Sequence, residues 1–194
     1  MPPALAAAES SAEDVVDYAL SGDRASVIAS ADALKAGVRG AAAAALADVG
    51  VPAATVGRLR ERADRLAGLA RAGSYLRIAL AANAVSELMP GLYARFEPRV
   101  PIAILTLDYL DREAQLRSLA HQTAKAELAV KQLRPSWAAV RAKIVAAGGA
   151  KEAAAFERHV AAMTRLAPRA GKLLEAEAEH GLALVDELEQ VFAR

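Results

Sequence analysis

The chain has no cysteine, only 4% aromatic residues, no predominance of one charge and no long uncharged apolar run. Each shortage excludes something. Without cysteine there is no disulfide, no thiolate zinc or iron–sulfur centre and no covalently attached c-type haem. So few aromatics cannot fill a β-sandwich or barrel core, whereas the abundant Ala, Leu, Glu, Arg and Lys are all strong helix formers. No stretch of about 18 uncharged apolar residues occurs, so no membrane span is expected. With 24 basic and 23 acidic residues the net charge is +1, and the signs are mixed. In RLRERADR (58–65), Arg58, Arg60, Arg62 and Arg65 alternate with Glu61 and Asp64. That is a solvated helix face, not the one-signed footprint of a nucleic-acid binder. No P-loop, Gly-rich phosphate cradle or Ser–His–Asp set is present, so no enzyme is expected.

What is present is helical periodicity. The stretch 1–10, MPPALAAAES, reads as a disordered tail or the remnant of a trimmed export signal. Ser10 or Ser11, followed by Glu13 and Asp14, marks a helix start. After a break at SGD (21–23) a periodic segment runs over 23–48 and stops at DVGVP. Further segments run over about 53–89, 101–147 and 150–193, with kinks expected at Pro135 and Pro168. MPGLYARFEPRVP (89–101) separates the second from the third.

The two halves resemble each other. RLAGLA at 65–70 recurs as RLAPRA at 165–170, and both halves read long helix, tight turn, long helix. The expected fold is therefore all-α: an antiparallel up-down four-helix bundle built from a duplicated helical hairpin, with kinked long helices. Residues 11–194 form one domain, with hairpins over about 11–89 and 101–194 and a proline-rich crossover at 90–100. A long antiparallel coiled coil that buries its stripes by dimerising is the alternative, so the chain is expected as a monomer or homodimer. The expected topology is similar to that of small bacterial periplasmic four-helix-bundle cytochromes, whose haem-ligand motifs are not found here.

The motif that carries chemistry is EAEAEHG (175–181). Glu177 and His180 stand at i,i+3, a spacing that presents a carboxylate and an imidazole on one helix face. Counted from the two tight turns, His121 falls at the same depth. Two imidazoles and one carboxylate suit zinc, copper or iron. Ferritin-like di-iron bundles need two such motifs and further glutamates, and only one is present. The competing reading pairs Glu177 with Arg77 as a buried ion pair. His159 is expected to face solvent, Trp137 and Met163 to be core, and Asp108 and Arg112 to form a surface bridge.

The sequence thus predicts a non-enzymatic bacterial protein, periplasmic or secreted with a cytoplasmic location as the alternative. It binds a metal ion or small ligand through Glu177, His180 and His121. The alternative is an adaptor that engages a protein partner through a helix face or the crossover, with Tyr93 and Phe96 as contacts.

Overall fold

The computed structural model describes residues 2–193, which form helices and turns and, among these residues, no strand. The long segments expected from periodicity are each interrupted. The first half comprises α1 (Pro3–Ser21), α2 (Arg24–Arg39), α3 (Ala41–Asp48), α4 (Ala53–Ala72), α5 (Tyr75–Ser86) and the short α6 (Met89–Tyr93). The second comprises α7 (Ile102–Leu119), α8 (Thr123–Ala146), α9 (Ala150–Leu166) and α10 (Lys172–Ala193).

The breaks have local causes. Gly22 takes the left-handed conformation (φ 80°) after α1, and Asp23 then caps α2 by accepting from the Ser26 amide at 3.1 Å. Gly40 separates α2 from α3, and Gly73 with Ser74 separates α4 from α5. His121 adopts φ 55° in the turn between α7 and α8. A 3-10 turn over Ala167–Arg169 parts α9 from α10. Pro135 lies inside α8, which runs through it unbroken. In that turn Ser136 Oγ donates to the Gln132 carbonyl at 3.0 Å, a side-chain bond beside the backbone bond that proline lacks.

Because the segments break in their middles, each half folds on itself. The chain divides at Pro98 and Arg99 into two compact units. Within the first unit α1 packs on α2 and α5, and both pack on α4. Within the second, α7 packs on α8 and α10, and both pack on α9. Each unit buries its own stripe: Leu5, Ala12, Val27, Leu34, Leu59 and Ile78 in the first, and Ile104, Leu133, Trp137, Phe156, Met163 and Leu188 in the second. A fully buried side chain of this size contributes about 1.5–3 kcal/mol.

Two expectations outside the core are corrected. Residues 3–10 are not a disordered tail: they form the first turns of α1, with Leu5 and Ala8 buried. In the crossover, Tyr93 is not the exposed contact expected of it. Pro90 sits in the first turn of α6, where its missing N–H costs nothing. Tyr93 is fully buried and its hydroxyl donates to Glu9 of α1. Phe96 is half-buried. No described helix is long and apolar enough to cross a membrane.

One contact closes the first unit at the α1–α2 turn. Arg24 donates to the carbonyls of Ala70 and Gly73, both at 2.8 Å, and lies 4.4 Å over the Tyr75 ring, whose hydroxyl donates to Gly22. Arg24→Ala is expected to cost about 1.5–3 kcal/mol in urea unfolding. Arg24→Lys should recover less than half of that, since an ammonium cannot fork to two carbonyls.

Candidate metal centre

Three helices of the second unit bring four polar side chains together. In α9 the inward stripe is Ala153, Phe156, Val160 and Met163. His159 stands beside it and is drawn wholly inside, with no side-chain exposure. Its ring lies 5.1 Å from that of Phe156, which in turn contacts Trp137 at 4.8 Å. From α7, Asp111 meets it with a side chain that is also fully buried. From α10, Glu177 approaches from the flank of the apolar stripe formed by Leu174, Ala178, Gly181, Val185 and Leu188.

Both imidazole nitrogens are engaged. His159 Nε2 lies 3.0 Å from Asp111 Oδ1, and Nδ1 lies 2.9 Å from Glu177 Oε1. His180 Nδ1 stands 3.8 Å from the same Glu177 oxygen, on the exposed side of α10. The His159 and His180 rings meet edge to face, with centroids 6.3 Å apart. Gly181 makes room for this arrangement. A Cβ there would lie 2.5 Å from Asp111 Oδ2 and 2.5 Å from His159 Nε2. Glycine inside a helix is about 1 kcal/mol less favourable than alanine, so the clearance has a cost.

Electrostatics follow from burial. Desolvation pushes the Asp111 carboxyl up to about 6, against the pull of His159 in the opposite direction. Burial disfavours the His159 cation, but the hydrogen bonds and charges of Asp111 and Glu177 outweigh it and raise its pKa above the usual value. Both carboxylates thus favour the protonated imidazole, in which each ring N–H would donate to one of them. Asp111 Oδ2 is buried and accepts no hydrogen bond from any described residue.

The predicted ligands are partly assembled. Glu177 and His180 face one another, as their spacing implies. His121 does not join them. It lies exposed in the α7–α8 turn, where its amide donates to the Ser118 carbonyl at 2.9 Å. The depth count that aligned it assumed a continuous helix over 101–147, and the break at this residue removes that premise. Of the expected Arg77–Glu177 pair, Arg77 is exposed on α5 of the first unit, and Glu177 takes His159 as a partner within the second. Asp108 and Arg112 are bridged at 3.5 Å, but largely buried rather than at the surface. His159 and Asp111 escape pattern reading. His159 sits three residues after Phe156 and four before Met163, close enough to the stripe to turn inward. The mid-helix Gly181 is the remaining signal that something bulky needs space.

Two outcomes follow. Gly181→Ala should destabilise by about 1–3 kcal/mol through overpacking, reversing the gain alanine ordinarily brings to a helix interior. Urea midpoints check it. The pH dependence also has a definite sign. Folded Asp111 and His159 both hold protons more tightly than their ordinary values of 3.8 and 6.5. Their contribution to stability therefore falls as pH rises, first from 3.8 to about 6 for Asp111 and then above 6.5 for His159. The difference in urea midpoint between the unaltered chain and an Asp111→Ala/His159→Leu double variant, followed across that range, isolates this component.

Compared with known proteins, the chain matches no family model, no curated protein and no solved structure.

Proposed function

We propose that the protein binds one divalent transition-metal ion, zinc, copper or iron, through His159, Glu177 and His180, and serves as a binding protein rather than an enzyme. The observation that carries this is the convergence of their ligand atoms, all within 4.8 Å of one another. Ligands on a tetrahedral ion with bonds of about 2.0–2.1 Å lie roughly 3.3 Å apart. The 2.9 Å and 3.8 Å separations across Glu177 bracket that value. His180 is 60% exposed on its side chain, so its ring can turn to complete the set. The site leaves a coordination position toward solvent, and without an ion Glu177 and His159 satisfy each other. Such an ion is exchangeable cargo, not a folding staple.

A comparison between the halves supports the reading. We infer that they are duplicates. Buried positions recur with the same spacing: Val27, Ala31, Leu34 and Val38 in α2 against Ala126, Val130, Leu133 and Trp137 in α8. In α1, Leu5, Ala8, Ala12 and Val15 match Ile104, Leu107, Asp111 and Ala114 in α7. In this register the first half has the equally buried Ala12 where the second has Asp111.

The test is a thermal melt of metal-stripped protein with and without excess Zn(II), Cu(II), Ni(II) or Fe(II). At a hundredfold excess over Kd, binding stabilises by about 2.7 kcal/mol, a shift of roughly 5–10 °C in this size range. His180→Ala, at an exposed position, should abolish the shift without lowering the metal-free melting point, and Glu177→Ala should abolish it too. No shift with any ion would leave a buried ion triad that is structural only.

A further inference from the structure

We infer that Asp111 is the positioning residue of this centre: its bond to His159 Nε2 makes Nδ1 the nitrogen that takes the metal. The inference rests on the metal reading above. An imidazole has two nitrogens, and which one coordinates is set by the hydrogen bond made by the other. Here the geometry is one-sided. Glu177 and His180 of α10 lie at Nδ1, and Asp111 Oδ1 lies at Nε2, 3.0 Å away with both side chains fully buried.

Core packing does not account for Asp111. A buried carboxylate usually collects two or three hydrogen bonds, because each unpaired oxygen is costly in a low-dielectric interior. Among the described residues Asp111 takes one on Oδ1 and none on Oδ2. Gly181 gives up its side chain beside Oδ2, and at the matching depth of α1 the first half uses Ala12, equally buried. The carboxylate is thus a net cost to the fold, concentrated on a single bond. That bond holds the ring plane, keeps the proton on Nε2 and, through the carboxylate charge, makes Nδ1 a stronger donor to a cation. The remaining site is a two-nitrogen, one-carboxylate set with Asp111 outside it.

Zinc titration of the full chain, followed by competition with a chelating dye, tests this beside two variants. Asp111→Asn keeps an acceptor and loses the charge. Asp111→Leu keeps the bulk and loses the acceptor. Losing such a partner weakens metal binding by about 10–100-fold, and the asparagine variant should lie at the lower end and the leucine variant at the upper. Both should still bind one ion per chain. A readout that a merely structural role would not move is the two-bond proton–nitrogen spectrum of the zinc-loaded, unaltered protein. It should show His159 protonated on Nε2 and shifted by metal on Nδ1. Coordination through Nε2, or unaltered affinity in both variants, overturns the inference. Should either variant fail to fold, the spectrum of the unaltered chain still decides. Absence of zinc, copper and iron binding in the unaltered chain overturns the metal reading itself, and is seen before any variant is made.

Discussion

A buried imidazole held between two carboxylates ties three helices of the second unit together. Asp111 comes from α7, His159 from α9 and Glu177 from α10, so the polar contacts join all three helices, beside the Ser118–Glu175 hydrogen bond at 2.9 Å between α7 and α10. The energetics are asymmetric. Removing one member of a buried charged set costs about 3–5 kcal/mol, because the others are left desolvated and unpaired, whereas exchanging the whole set for apolar residues is often neutral or stabilising. The set therefore cannot be dismantled one residue at a time without penalty. Nor is it the cheapest way to fill the space.

The four segments and their tight turns are legible because alternating three- and four-residue spacing is a direct image of one buried helix face. Core membership follows equally well: Leu34, Leu59, Phe156, Met163, Trp137 and Leu188 are buried. The interruptions are harder. Gly22 and Asp23 announce a turn, but at Gly40, Gly73 and His121 the periodicity continues in phase on either side. Phase continuity is what makes a break invisible, since a stripe interrupted by one residue still counts as a stripe. Those breaks decide the architecture. A helix that turns back in its middle finds partners within its own half, as α7 does in α8 and α10. Tyr93 shows the same limit at a single residue. Between prolines it looks exposed, yet its hydroxyl finds Glu9 inside the first unit.

The candidate centre divides along similar lines. Glu177 and His180 are readable because i,i+3 proximity is a local property of one helix. His159 and Asp111 come from two other helices, and their meeting depends on where those helices turn, so no local spacing reports it. His121 illustrates the converse: equal depth along straight helices aligns it with Glu177, but a straight α7–α8 does not exist. Gly181 alone carries long-range information in its own identity, because a glycine inside a strongly helical run needs a reason and a close approach from a neighbouring helix is one.

The exposure of the polar set bears on the proposed metal reading. Glu177 and His159 meet each other's hydrogen-bonding needs at 2.9 Å and so join α9 to α10. Of the three proposed ligands only His180 is exposed, so an ion held there would be reached through the face where His180 stands. Closed structural sites behave differently, since there chelation unfolds the chain. Asp111 and Gly181 lie on the far side of His159 from that entrance, where they shape the ring's orientation and have no route to the ion. On the proposed reading, the buried Asp111 and Gly181 would fix the geometry of the ring and the exposed His180 would admit the cation.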